Sequence, residues 1–387
     1  MRIGFLLNHE GAHQVGHAMP IALAMASSDK SVTVEVYVAC GAAETEARRM
    51  AAGAPSRISI ICLKDAGWLG SAISAVTRDS VPGKRVSILY RNRALFAGLA
   101  ALVVPEKTSL MLKTRFGLRD LPLIHTRHGA GDRAVGFDKA SGAFDLVLLS
   151  GQKIKDRLAQ AGLLRPGGFA VVGYPKFDRL LSQSPPPPLF NNGRPTVLYN
   201  PHASPVLSSW YRMGPAILEH FAKQREFNLI FAPHVMLFTK RYHASLSPPG
   251  FAKVPPVPAS IAKSPHIHVD LGSSASIDMT YTRMADVYLG DASSQVYEFL
   301  ANPGPCIFVN PQNLPWQDDV NFAHWTAGPV VSNLAMLKPA LDRARMRPHA
   351  YREVQENLFS YSFDLTSEPS AQRAARAILD WLEHAVR

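Results

Sequence analysis

The chain has 387 residues, with 41 Lys and Arg against 30 Asp and Glu, a formal charge of +11. At roughly 150 residues per domain that length predicts two or three domains, and a hydrophobic share of 47% argues against disorder for the chain as a whole. Cys40, Cys62 and Cys306 are scattered, odd in number and form no C-x-x-C pair, which is read as ruling out a disulfide scaffold and any cysteine zinc ribbon and fits a reducing cytosol.

Short apolar runs alternate with helical patterns from the N-terminus onward. Ile3–Leu7 predicts a strand, and the segment near Val15–Ala26 a helix. Val32–Val38, rich in β-branched residues, predicts a second strand, followed by a helix near Ala43–Ala52. Ile58–Leu63 is a third strand, with a helix over Gly67–Arg78. Leu121–His125, Asp145–Leu149 and Ala170–Val172 follow as strands, with a helix at Gln152–Ala161. The apolar run at the N-terminus is too short for a signal-peptide core. The uncharged stretch Ala94–Pro105 is too short to cross a bilayer, which takes about 20 residues.

Four consecutive prolines, Pro185 to Pro188, interrupt this rhythm, because proline neither continues a helix nor enters a central strand. Asn191-Asn192-Gly193 follows as a turn signal. The alternation then restarts. Thr196–Asn200 predicts a strand, Ser208–Gln224 a helix and Phe227–Ala232 a strand. A looser Pro-rich stretch from Pro248 to Pro265 leads to a strand at His266–Leu271, a helix near Ile277–Met284 and a strand at Val287–Leu289. A helix at Ser293–Ala301, a strand at Cys306–Val309 and three helices from Ala335 to the end complete the pattern. The expected organisation is therefore α/β, with two Rossmann-like domains facing each other across a cleft. An N-terminal, acceptor-side domain takes 1–183, a linker 184–195, and a donor domain with terminal helices 196–387.

In open parallel sheets ligands sit beyond the carboxyl ends of the strands, so the loops there carry the chemistry. Several of the fourteen histidines fall in such loops. His9, His13 and His17 follow the first strand, and Arg127-His128-Gly129 follows Leu121–His125. His202 follows Thr196–Asn200, and His234 follows Phe227–Ala232. Asp291-Ala292-Ser293-Ser294 stands between a strand and a helix. Ser or Asp there caps the helix, or its free N–H groups and hydroxyls hold a phosphate. Glu298, one turn later, is either an exposed helix residue or an acceptor for ribose hydroxyls. Gly129 permits close approach of a ligand to the backbone. His128 is placed to take a proton from a hydroxyl, or is a loop histidine bonded to backbone. His9-Glu10-Gly11-Ala12-His13 matches H-E-x-x-H, but it lies in a loop rather than on a helix, and His17 comes two positions too early for the longer zinc signature. No metal and no cofactor is expected; the loop is read as lining the acceptor side.

Taken together, Arg127-His128-Gly129, Gly173-Tyr174-Pro175-Lys176-Phe177-Asp178, Pro233-His234 and Asp291-Ala292-Ser293-Ser294 resemble, in order, the motifs of the CDP-glycerol glycerophosphotransferase family. That family includes teichoic-acid polymerases and lies in the wider GT-B-like group of two-Rossmann-domain glycosyltransferases. The resemblance covers about residues 120 to 310. It implies a nucleotide-diphosphate donor held by the C-terminal half, with His128 as general base, His234 on the diphosphate, and Gly129, His202, Asp291, Ser293, Ser294 and Glu298 around the donor. His9, His13, His17 and Arg127 fall on the acceptor side. Val235 after His234 stands where the family usually has proline. The implied partners are a CDP-activated alcohol or a nucleotide sugar, and a saccharide or lipid-linked acceptor. A GT-B glycosyltransferase, a nucleotide-sugar 2-epimerase and a non-catalytic nucleotide-binding protein remain as rival readings.

The basic balance has two readings, a solvated surface or attraction to anionic partners such as phosphorylated substrates or an anionic membrane face. Nucleic acid is not expected, since no Lys/Arg run exceeds two residues. The expected location is cytoplasmic, with peripheral attachment at the inner face of the membrane left open. Ile378, Leu379, Trp381 and Leu382, beside Arg373 and Arg376, either pack on the N-terminal domain or meet lipid.

Overall fold

A computed structural model describes residues 1–8, 15–68, 70, 83–127, 131–133, 136–178, 183–246 and 248–385. The chain divides into two compact units, the first comprising Met1–Ala130, Ala134–Gln183 and Ser360–Arg387, the second Gly131–Arg133 and Ser184–Phe359.

The first unit holds a seven-stranded parallel sheet in the order β3-β2-β1-β4-β5-β6-β7. Its strands are β1 (Arg2–Leu7), β2 (Thr33–Val38), β3 (Ile58–Cys62), β4 (Ala101–Val104), β5 (Leu123–His125), β6 (Leu146–Leu149) and β7 (Phe169–Val171). β4 lies inside the stretch Ala94–Pro105, which the sequence reading used only to exclude a membrane span. All four of its residues are buried, so it shows no alternation of apolar and polar positions. The helix expected over Gly67–Arg78 falls mostly outside the described residues. Two apolar layers cover the sheet. One contains Phe5, Met19, Met25, Val36 and Ile124, the other Leu6, Tyr37, Phe96, Leu102 and Leu149.

Two expectations are corrected here. Cys40 and Cys62, at the ends of neighbouring β2 and β3, are joined as a disulfide with Cα atoms 5.5 Å apart. Strand register, in which Val38 pairs with Cys62, brings together residues that are 22 apart in the chain. Cys306 alone is a free thiol, buried. The terminal helix Ser370–Ala385 belongs with the first unit rather than with the expected domain 196–387. Its Ala374, Ala375, Ile378 and Leu382 enter the same core as Ala18 and Met19, with Leu379 and Trp381 packed against it. Its cations are paired too, Arg373 with Asp364 and Arg376 with Glu368. The apolar side of this helix is therefore covered by protein, not offered to lipid. No helix among the described residues is long and apolar enough to cross a membrane.

The segment Gly173–Asp178 holds that helix in place. Asp178 accepts the N–H groups of Ser370 and Ala371, both at 2.8 Å, which are orphan donors of the helix start. Gly173 has φ +82°, and a Cβ there would meet Ser370 Oγ at 2.5 Å and Asp364 O at 2.7 Å. Only glycine permits both the conformation and the approach.

The second unit holds a six-stranded parallel sheet, β12-β9-β8-β13-β14-β15, and a separate antiparallel hairpin of β10 (Tyr242–Leu246) and β11 (Pro249–Lys253). The sheet strands are β8 (Thr196–Asn200), β9 (Asn228–Phe231), β12 (Ile267–Val269), β13 (Val287–Gly290), β14 (Cys306–Val309) and β15 (Val330–Val331). The order reverses beside β8, whose two neighbours are β9 and β13. The carboxyl ends of β8 and β13 thus flank the switch point, where open α/β sheets bind ligands.

Candidate functional site

The residues after β8, β9 and β13 form one buried polar cluster in the second unit. Asn200, fully buried at the end of β8, donates to Ala232 O at 2.6 Å and so ties the loop to β9. Asp291, fully buried after β13, accepts His202 N–H at 2.8 Å on Oδ1. Its Oδ2 accepts Ser209 N–H at 2.6 Å and Ser209 Oγ–H at 2.8 Å. Burial pushes this carboxyl up to about 6, against the N–H and O–H donors that favour its charge. Both carboxylate oxygens are engaged by protein donors, so Asp291 fixes the loops around the ligand position.

His202 and His234 are built alike. In each, ring Nδ1 accepts the backbone N–H two residues on, Ser204 at 2.9 Å and Met236 at 3.2 Å. That assigns the proton of each neutral imidazole to Nε2, which makes Nε2–H a donor. The ring centroids are 5.4 Å apart. Burial, then the neighbouring His234 and Arg133, hold His202 well below the usual histidine value. Burial, then His243 and Arg133, hold His234 down at about 4. Arg133 Nη1 lies 3.3 Å from His202 Nε2, donor facing donor. An oxyanion placed beside them would accept from both. Two neutral imidazole donors and a guanidinium can therefore bind an anionic oxygen but, as neutral Nε2–H groups, cannot take a proton at that nitrogen.

Arg133 reaches this cluster through the short segment Gly131–Arg133, which packs with the second unit. Its neighbour Asp132 is buried, accepts Tyr297 O–H at 2.8 Å, and accepts from both His324 N and His324 Nδ1, at 3.0 and 2.8 Å. His324 Nε2 in turn faces Asp291 O at 3.3 Å. Asp132, Arg133, Tyr297 and His324 were not singled out by sequence. Asp132 and Arg133 stood near one motif and Tyr297 beside another, but the partners lie more than 160 residues apart in the chain.

Ser293 is buried and its Oγ accepts Gln295 N–H at 3.3 Å, whereas Ser294 is exposed and sits against Gly131. The helix they precede is Gln295–Phe299, shorter than the expected Ser293–Ala301. Glu298 is buried, not the exposed helix residue of the simpler reading. Asp270, after β12, was also missed. Although burial opposes its charge, Ser273, Gly272 N–H and Tyr281 O–H hold it down at about 2.

His17 and Arg127 come together in the first unit, lining one small pocket with Thr126, Ser150 and Tyr174. His9, His13, His128 and Gly129 lie outside the described residues. The described residues gather three metal-type donors once, at Cys40, Glu44 and Cys62, and there the two sulfurs are bonded to each other.

No protein-family model matches the chain, and no curated protein matches it. Solved structures do. A variant of the wall teichoic acid polymerase TagF soaked with CDPG aligns at a TM-score of 0.59 with 12% identity, over 100% of this chain and 90% of that one. A putative UDP-N-acetylglucosamine 2-epimerase from Listeria monocytogenes aligns at 0.63 with 15% identity, over 100% and 97%. The UDP-GlcNAc 2-epimerase of Neisseria meningitidis, bound to UDP-GlcNAc, aligns at 0.56 with 10% identity, over 99% and 100%. The fold is GT-B-like: two parallel-sheet α/β domains of seven and six strands. At these identities the likeness carries the fold and nothing finer.

Proposed function

We propose that the chain is a transferase that moves glycerol phosphate, or a related alcohol phosphate, from a CDP-activated donor to an acceptor hydroxyl in cell-envelope polysaccharide or glycolipid synthesis. The observation that carries this reading is the convergence of His202, His234 and Arg133 at the switch point of the second sheet. Neutral imidazole donors beside a guanidinium suit a diphosphate, whose oxygens gain charge as the bond to the leaving group breaks. Ser293, Ser294 and Glu298 stand at the adjoining helix start, where phosphate and ribose would meet them.

In the proposed reaction the acceptor oxygen attacks the β-phosphorus of the donor. A P–O bond forms, the bond to the bridging oxygen breaks, CMP departs with that electron pair, and His128 takes the acceptor proton. His234 and Arg133 hold the diphosphate oxygens. Because His202 and His234 keep their protons on Nε2, the base in this scheme is a different histidine, which is the part His128 plays.

The experiment is a thermal-unfolding panel of nucleotides on the full chain. A ligand at about one hundred times its Kd stabilises by roughly 2.7 kcal/mol. CDP or CMP should raise Tm by several degrees, with UDP and GDP weaker. Preference for UDP would favour the epimerase or glycosyltransferase reading, and no nucleotide response would leave a non-catalytic protein. With the right nucleotide identified, His128→Ala should lower turnover by about 10²–10⁴-fold with unchanged Tm.

A further inference from the structure

The hairpin of β10 and β11 turns one face to its own unit and leaves the other uncovered. Side chains alternate across a strand pair, and the register sets Tyr242 opposite Lys253 and Ala244 opposite Phe251 on one face. All four are exposed, Tyr242 at 40% and Phe251 at 64%. The opposite face carries His243, Ser245, Gly250 and Ala252, all half-buried. That inner face is anchored. His243 Nε2 donates to Leu237 O at 3.0 Å, and a Cβ on Gly250 would meet Val206 Cγ1 at 2.3 Å. The packing beneath the hairpin therefore fixes which side chains point outward.

The outward face is graded along its length. The rings of Tyr242 and Phe251 are stacked, 5° from parallel with centroids 5.5 Å apart, and form an apolar patch. Pro248 and Pro249, both exposed, stand at the closed end. Cations stand at the open end. Arg241 directly precedes β10, its guanidinium carbon 5.7 Å from the Tyr242 ring centroid, and Lys253 ends β11. No carboxylate among the described residues pairs with either. The sequence shows the same bias over a longer stretch, with no Asp or Glu between Glu226 and Asp270 but Lys240, Arg241, Lys253 and Lys263 within it.

An apolar patch bordered by cations that no carboxylate neutralises matches a surface that is apolar inside and anionic outside. Aromatic rings settle at the headgroup level of a bilayer. Each nearby Lys or Arg adds about fivefold to binding through the negative surface potential. A second copy of this chain is a poorer fit, because it would bring the same cations against each other, and the net charge of +11 adds to that repulsion.

We propose that the outward face of this hairpin docks on an anionic lipid bilayer, with Tyr242 and Phe251 in the interface and Arg241 and Lys253 against lipid phosphates. The contact uses the second unit alone and does not depend on the transferase reading.

The test is co-sedimentation of the full chain with vesicles of phosphatidylcholine, alone or with about one-third phosphatidylglycerol. The anionic vesicles should bind at least about tenfold more strongly than the neutral ones, and about 0.5 M salt should remove most of that difference. Tyr242→Ser and Phe251→Ser should each weaken binding about fivefold or more. Arg241→Gln combined with Lys253→Gln should weaken it about tenfold or more on anionic vesicles only. Trp68→Ser, which removes a ring 82% exposed in the first unit, should change nothing. These side chains lie on the surface, so each variant should keep the wild-type Tm. As a measurement independent of any variant, anionic vesicles should slow amide exchange over 241–253 in the wild-type chain. No binding to anionic vesicles, binding unchanged in both Tyr242→Ser and Phe251→Ser, or binding lost in Trp68→Ser instead would each overturn the proposal. So would self-association, or capture of poly-glutamate, that depends on Phe251 while vesicles stay unbound; the face would then belong to a second copy or to an acidic protein. A negative nucleotide panel beside Phe251-dependent vesicle binding would sink the transferase reading and leave this one standing.

Discussion

His202 and His234 show how two backbone N–H groups decide what an imidazole can do. With Nδ1 accepting from Ser204 or Met236, each ring is a neutral Nε2–H donor, and burial opposes adding a proton. For His234 the folded value of about 4 lies below the unfolded 6.5, so the folded state binds fewer protons in acid. Its contribution is therefore complete above about pH 6.5 and is lost as pH falls toward 4. His234→Gln should flatten that slope, by at most about 3 kcal/mol, when urea midpoints at pH 7 and 4.5 are compared. Asp291 has the opposite sign. Its carboxyl, raised to about 6 from 3.8, disfavours the folded state increasingly as pH rises through that window. Asp291→Asn should nonetheless destabilise by about 1–3 kcal/mol, because an amide N–H₂ would face the donors of His202 or Ser209. Equal urea midpoints for Asp291→Asn and wild type at pH 7 would contradict the clamp described here. Both histidines were legible as post-strand residues; the ring tautomers were not, because Ser204 and Met236 engage them only through folded loop geometry.

At the scale of elements, Gly173–Asp178 was legible as a family-like motif and opaque as a device. Its partners, Asp364 and Ser370, lie almost 200 residues downstream, beyond the reach of local pattern. Gly173→Ala forces a Cβ into Ser370 and penalises the φ of +82°, so it should cost about 2–4 kcal/mol. Asp178→Ala removes the cap of the terminal helix, worth about 1–2 kcal/mol. Chemical denaturation of the two variants should rank them in that order. β4 carries a related lesson. A strand covered on both faces reads as a plain apolar run, which periodicity cannot separate from a buried helix segment. Its place between β1 and β5 is decided by sheet pairing alone.

For the molecule as a whole, a chain ending at Phe359 would remove the helix whose Ile378 and Leu382 complete the first core. Each such side chain is worth about 1.5–3 kcal/mol when fully buried. Limited proteolysis of that truncated chain should therefore degrade residues before 183 first, while the second unit keeps its protection. Early loss of the second unit would show that the terminal helix stabilises it instead. The alternation of strand and helix, the proline break near 183 and the histidines after the strands were all determined by the sequence alone, because periodicity, proline geometry and residue chemistry are local properties. Tertiary structure alone decided that the last residues return to the first unit, that Gly131–Arg133 joins the second, and that Cys40 meets Cys62. Those outcomes depend on which distant surfaces exclude water together, and no stretch of neighbouring residues encodes that choice.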